Sequence, residues 1–170
     1  MPRKYIAKFK TAERSPSAPH VSHAIYSLLG GLLAISLITL LSHSTATPLL
    51  IAPFGATCVL AFGVPDSPLA QPRNIIGGHL IAAVIGLCCF YLMGNTWYSL
   101  ALGVSISIAV MQMTRTIHPP AGANPLVIIL TGAKWNFIFS PILVGSVTLV
   151  AIALIFNNLS SKRRYPRYWL

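Results

Sequence analysis

Long apolar runs separated by short polar or proline-rich breaks make up most of this sequence. Ala24 to Leu41 is the first uninterrupted run. At 1.5 Å per residue it reaches about 27 Å as a helix, close to the thickness of a bilayer core. Ser42 to Pro48 is a polar turn. Leu49 to Gly63 is apolar again, but Pro53 and Gly55 break it, so only a short helix of about ten residues fits. Val64 to Asn74 holds Pro65, Pro68 and Pro72 and reads as a polar loop. Ile75 to Met93 is the next crossing, with Gly77, Gly78 and His79 near its start. Gly94-Asn95-Thr96 is a tight turn, followed by Trp97 and Tyr98 as interfacial aromatics. Leu100 to Met113 crosses again. The mixed stretch Arg115–Pro125 comes next, then the short apolar run Leu126 to Leu130, a turn at Thr131–Lys134, and a last crossing from Phe137 to Phe156. The pattern predicts an all-α polytopic transmembrane protein with four long crossings and two short helices, broken or re-entrant. A basic tail at 1–20, a membrane domain at 21–157 and a second basic tail at 158–170 are the expected divisions.

Composition makes the membrane reading firm. The chain has 170 residues, 55% hydrophobic and 8% charged, with a mean hydropathy of +0.72. A soluble domain carries about 25% charged residues. The net charge of +10 does not point to nucleic acid, because it gathers at the two ends. Arg3, Lys4, Lys8, Lys10 and Arg14 precede the first run, and Lys162, Arg163, Arg164 and Arg167 follow the last. Such clusters anchor a chain at anionic lipid headgroups on the cytoplasmic face. The expectation is a multi-pass protein of the inner (plasma) membrane with both termini cytoplasmic. The first apolar run lacks a small-residue cleavage site behind it, so no removed signal peptide is expected. If all six segments cross, Arg73 and Arg115 fall inside and only Lys134 outside. If the two short ones re-enter, all three fall outside. The positive-inside rule prefers the first arrangement. Cys58, Cys88 and Cys89 lie in apolar runs and read as small buried hydrophobes rather than metal ligands.

The sequence also repeats itself weakly. Pro53-Phe54-Gly55-Ala56-Thr57 resembles Pro120-Ala121-Gly122-Ala123-Asn124. Each motif opens a short apolar helix that ends at a glycine, Gly63 or Gly132. The spacing from Pro53 to Gly78 equals that from Pro120 to Gly145, 25 residues. Two pseudo-symmetric repeats of three segments follow, and an odd number of crossings inverts the second relative to the first. Inverted repeats with broken helices near the midplane are a transporter pattern. The competing reading is chance likeness between glycine- and proline-rich membrane segments.

Chemistry concentrates in Arg115–Pro125. Pro119, Pro120 and Pro125 donate no backbone hydrogen bond, and residues before a proline leave the α region. In hydrocarbon, irregular backbone survives only within protein or along a watery cavity. If both short helices start near the midplane, their N-termini face each other, each with free N–H groups and partial positive charge. Gly55 and Gly122 would let a ligand approach closely, with Ala56 and Ala123 beside them. Thr57 and Asn124 add polar side chains. Arg115, Arg73 and a protonated His118 add positive potential. Together these favour a small inorganic anion. Each has a plainer alternative: Arg115 and Arg73 as interfacial anchors, His118 donating to a carbonyl freed by Pro119 or Pro120. His79, an ionisable group inside a crossing, is a site candidate or a neutral histidine bonded across helices. Asp66 could pair with Arg73 or relay a proton, though its loop suits a turn role.

No carboxylate pair, metal-ligand cluster, activated nucleophile or Walker-type glycine loop is visible, so neither an enzyme nor an ATP-driven pump is expected, and no cofactor. The blocks His118–Pro125, Ser67–His79 and Gly55–Leu60 resemble those of the HPP family of integral membrane proteins, over roughly residues 22–157. That resemblance implies an anion permease. Members in cyanobacteria and chloroplasts are associated with nitrite, which makes nitrite the leading candidate. The family is usually described with four transmembrane helices, against the six segments counted here. The alternative is a non-transporting assembly or sensory protein whose glycines and prolines only serve packing. A homo-oligomer is a further candidate partner, since membrane chains this small often self-associate.

Overall fold

Proline, glycine and the polar breaks cut the apolar chain into an all-helical bundle. The computed structural model describes residues 2–45 and 47–169, with the backbone alone for Pro2 and Arg3. Met1 and Leu170, in the expected tails, and Ala46, in the expected polar turn, lie outside the described residues, as does the side chain of Arg3. Among the described residues there are seven α-helices and no strand: α1 Pro2–Ala7, α2 Val21–Ser44, α3 Ala52–Cys58, α4 Pro72–Met93, α5 Trp97–Met113, α6 Asn124–Thr131 and α7 Val144–Asn158. Three helical stretches, Val21–Ser44, Pro72–Met93 and Trp135–Asn158, are long and apolar enough to cross a membrane, and Ala52–Gly63 and Trp97–Met113 are shorter apolar helices.

Local chemistry explains most boundaries. α2 starts earlier than its apolar run because His20 caps it, accepting from the Ser22 amide at 3.2 Å. α3 starts only at Ala52, after extended Ile51, and continues as a π-helical turn to Gly63. α4 takes in Pro72, Arg73 and Asn74, which the sequence placed in a loop, because proline suits a first helical turn. Thr96 caps α5, accepting from the Ser99 amide. Gly132 ends α6 in the left-handed conformation (φ 63°, ψ 39°), the usual residue there since it has no β-carbon. The last crossing, expected to run unbroken from Phe137 to Phe156, is kinked. Ser140 precedes Pro141 and is extended (φ −136°, ψ 120°), which interrupts the helix there.

Contacts sort the helix termini into two ends of the bundle. At one end, the His23 Nε2 lies 2.9 Å from the Gly63 carbonyl, joining the start of α2 to the end of the α3 helix. The Arg73 guanidinium donates to the Thr114 carbonyl at 3.0 Å, joining the start of α4 to the end of α5. The C-terminal segment folds over the same end. Arg163 donates to the Phe62 carbonyl, Asn157 Oδ1 and Ser27 Oγ and lies over the Tyr26 ring. Asn158 brackets the Tyr165 backbone through its amide group. Buried Tyr165 donates its hydroxyl to the Ala70 carbonyl at 2.8 Å. Burial pushes that phenol above its ordinary pKa. Burial likewise lowers the Arg163 guanidinium, opposed by Tyr26 and Asp66. Asp66 pairs not with Arg73 but with Arg167, at 2.7 Å. At the opposite end, Tyr91 stacks on Trp135 and the Phe90 ring lies against Gly132.

Lipid is as apolar as leucine, so burial of aliphatic surface drives helix association weakly in a membrane and close packing matters more. Small residues supply it. A β-carbon at Gly30 would stand 2.5 Å from Phe62 Cδ1, and one at Gly86 would stand 2.7 Å from Pro125 Cα. Gly103 approaches Pro125 from α5, so that proline is wedged between α4 and α5. The apolar core gathers α2, α3 and α7 around Ala34, Ile38, Phe54, Phe62 and Leu149.

Candidate functional site

The prolines that break the chain also aim its polar residues. His118 precedes Pro119 and is extended (φ −137°, ψ 98°), after which a 3₁₀ turn, Pro119–Ala123, leads into α6. The extended strand passes directly over Gly78 of α4. A β-carbon there would stand 2.8 Å from His118 Cβ and 3.0 Å from the Thr116 carbonyl. Asn74, one turn earlier on α4, holds the strand by donating to the Ile117 carbonyl at 2.9 Å. The wedge of Pro125 between two glycines then sets Asn124 against the middle of α4.

Four of the candidate residues meet in the interior: Thr57, His79, His118 and Asn124, all fully buried. His118 Nδ1 lies 2.8 Å from the Leu69 carbonyl, and its Nε2 lies 2.9 Å from Thr57 Oγ1. Thr57 Oγ1 is 3.0 Å from His79 Nε2. His79 Nδ1 is 2.9 Å from Asn124 Nδ2, which also donates to the His79 carbonyl at 3.0 Å. The two imidazole centroids are 5.0 Å apart, and the Phe54 ring meets His79 edge-on at 5.1 Å.

A carbonyl only accepts, so His118 carries its proton on Nδ1. With neutral imidazoles the remaining assignment is forced. Thr57 donates to His118 Nε2, His79 donates from Nε2 to Thr57, and Asn124 donates to His79 Nδ1. All four ring nitrogens are then satisfied, through one chain of donors running in a single direction. The two histidines hold opposite tautomers. Asn124 Oδ1, 3.3 Å from His79 Nδ1, receives no proton in this arrangement. No acid enters the cluster: the chain has two, Glu13 in the N-terminal tail and Asp66 on Arg167.

The other candidates lie around this cluster. Gly55 and Ala56 are exposed on α3, and Gly122 and Ala123 are half-buried on the 3₁₀ turn. Pro53 and Ala56 of the first motif and Pro120 and Ala123 of the second line one open groove of about 540 Å³. At Gly55 and Gly122 a β-carbon would meet nothing within 4 Å. Arg73 and Arg115 stay outside the cluster, at the end of the bundle. Arg73 is tied to Thr114, and Arg115 is exposed, with a left-handed φ of 58°. His118 donates to Leu69 rather than to a carbonyl next to the prolines. Sequence reasoning missed Leu69, whose carbonyl meets His118, Asn74, which holds the Ile117 carbonyl, and Gln71, which ties the loop before α4 to itself and to the Arg167 amide. They sit inside the Ser67–His79 block, the only signal that could have marked them. Among the described residues no group of His, Cys, Asp and Glu could hold a metal ion.

Apolar helices of membrane length around a buried histidine pair, with two broken helices meeting on it, define an integral membrane protein with an intramembrane polar centre. The chain belongs to the HPP family: residues 16–166 match its transmembrane region. Among its relatives are two transmembrane proteins of Dictyostelium discoideum, 37% identical over 97% of this chain and 38% identical over 92% of it. The chain spans 57% and 59% of the length of those relatives. No solved structure matches it.

Proposed function

We propose that this protein is a membrane transporter for a small inorganic anion, with nitrite as the leading candidate through the family resemblance. The observation that carries the reading is the position of His79. Thr57 closes the first Pro-x-Gly-Ala motif and Asn124 the second, and they bond the two ring nitrogens of this one histidine. A centre built jointly by two broken helices is where alternating-access transporters hold their cargo.

The grouping of helix ends supports six alternating segments. The start of α2, the end of the α3 helix, the start of α4 and the end of α5 share one end with the C-terminal segment. In this reading α2–α4 and α5–α7 are two inverted repeats, and each short helix completes a crossing begun by extended chain. Lys134 is then the one member of the twelve Lys and Arg opposite the termini, which puts both termini in the cytoplasm under the positive-inside rule. The plasma membrane is the proposed location, and the basic tails meet anionic headgroups there.

The packing-only alternative draws on the internal satisfaction of the imidazoles. Against it stand Gly55 and Gly122. Neither close packing nor a positive φ calls for glycine at either position. Both face open space, and the two motifs share one groove through Pro53, Ala56, Pro120 and Ala123. Purified protein in liposomes should accumulate nitrite along an imposed gradient faster than protein-free vesicles. Equal rates with and without protein, for nitrite and chloride alike, would return the function to assembly or sensing.

A further inference from the structure

Thr57 has two places to put its one proton. Its Oγ1 lies 2.9 Å from His118 Nε2 and 3.2 Å from the Pro53 carbonyl. In the neutral cluster the proton goes to His118 Nε2. If His118 gains a proton, its Nε2–H becomes the donor to Thr57 Oγ1. The hydroxyl then turns its hydrogen to Pro53, and His79 goes on donating to the second lone pair of the same oxygen. All four ring nitrogens keep partners and no heavy atom has to move. His79 is a poorer place for the proton. Its Nδ1 faces the Asn124 amide nitrogen at 2.9 Å, a donor, and a proton there would have only the longer 3.3 Å approach of Asn124 Oδ1 to use. Protonating both rings would set two cations 5.0 Å apart with no acid beside them.

The surroundings leave that single positive charge uncompensated. α3 contributes Thr57 and, next in sequence, the buried thiol of Cys58. α4 contributes His79, with Arg73 only in its first turn, bonded to Thr114. The loop before α4 carries Asp66, held by Arg167, and the C-terminal segment brings the Tyr165 phenol, which bonds Ala70. α5 bears no charge along Trp97–Met113, and Arg115 beyond it is exposed. The Pro119–Ala123 turn, α6 and α7 carry no ionisable group. A buried charge without a partner is strongly disfavoured. A small anion entering beside the cluster would remove that penalty, and without the proton the anion would find no cation there. Each ligand therefore favours the other, and such coupling is reciprocal.

We propose that Thr57, His79 and His118 form a site for one proton, and that the protein carries its anion together with that proton. This rests on the transport reading above and adds its coupling ion. A monovalent anion then moves with no net charge.

The test uses the full chain in liposomes with a trapped pH indicator and a potassium–valinomycin potential clamp, near neutral pH. An inward nitrite gradient should acidify the lumen beyond protein-free vesicles, at a rate the potential does not change. Nitrite uptake that follows the potential, with no acidification above the control, overturns the proposal. Thr57→Val should cut the acidification rate by about tenfold or more, the scale of losing a buried hydrogen bond to a charged group, and Thr57→Ser should restore it. Wild-type acidification in Thr57→Val also overturns it. A second measurement needs neither flux nor a folded variant: ¹⁵N-histidine spectra of the wild-type protein in lipid nanodiscs. The proposal requires two buried imidazoles in opposite tautomers, of which acid converts one to the doubly protonated form. Matching tautomers, or two buried rings that both titrate, sink the proton site. Absence of any nitrite uptake removes the transport reading, and the coupling with it, whatever the spectra show.

Discussion

A β-carbon placed on Gly145 of α7 would collide with Cε2 and Cζ of the Phe54 ring on α3. Phe54 is fully buried and packs edge-on to His79, so the ring has nowhere to retreat. Gly145→Ala should destabilise the protein by about 1–3 kcal/mol, the usual cost of overpacking. Gly55→Ala and Gly122→Ala should stay within about 0.5 kcal/mol of wild type, since open space surrounds both. Unfolding midpoints of the three variants in one detergent would check this. A tolerated Gly145→Ala would refute the packing, and a damaging Gly55→Ala would return the motif glycines to a packing role.

Asn124→Leu preserves volume but strips His79 Nδ1 and the His79 carbonyl of a buried donor. A cost of about 1–3 kcal/mol follows from leaving buried groups unsatisfied. Because the two side chains share one bond, His79→Phe should cost less in the Asn124→Leu background than in the wild type. Additive effects in a double-mutant cycle would show that the two do not interact.

Burial raises the pKa of Tyr165. A raised folded-state value means that the unfolded chain loses its proton first as pH increases. The stability tied to the neutral phenol is whole below about pH 10, where an unfolded tyrosine titrates, and declines above it. Tyr165→Phe keeps the packing and removes both the ionisation and the bond to Ala70. It should cost about 0.5–1.5 kcal/mol at neutral pH and flatten the alkaline decline. Thermal midpoints of both proteins from neutral to alkaline pH supply the comparison, and parallel curves would rule out the role given to this phenol.

With the cysteines replaced, Lys134→Cys should react with an impermeant thiol reagent added to intact cells. Arg164→Cys, at an exposed position in the C-terminal segment, should react only after permeabilisation. Labelling of both from the same side would exclude six alternating segments.

The membrane character, the helices and their breaks could be read directly from residue order. Apolar run lengths, proline's missing N–H and the polarity of turns are local properties, and they placed α5, α6 and the short α3 within a few residues. The kink at Ser140 was also written there, in the proline that follows, but a long apolar run masked it. The resemblance at His118–Pro125 and Ser67–His79 marked the two histidines that meet. It covered Leu69 without giving it a role, because a backbone carbonyl has no residue-type signal.

Residue order alone determined that this chain is helical and lives in a membrane, that its charge lies at its ends, and that Thr57, His79, His118 and Asn124 are polar groups in apolar surroundings. Only the tertiary structure decided their partners. His118 reaches a carbonyl 49 residues away, and Asp66 an arginine 101 residues away. Arg73 and Arg115, grouped with the histidines by charge, were left at the end of the bundle. In a chain apolar on nearly every face, hydrophobic pattern does not say which face meets which. That choice falls to shape, to the places where glycine lets one backbone pass over another. Gly78 admits the His118 strand, and Gly86 with Gly103 admits Pro125; the hydrogen bonds of the cluster follow from those approaches.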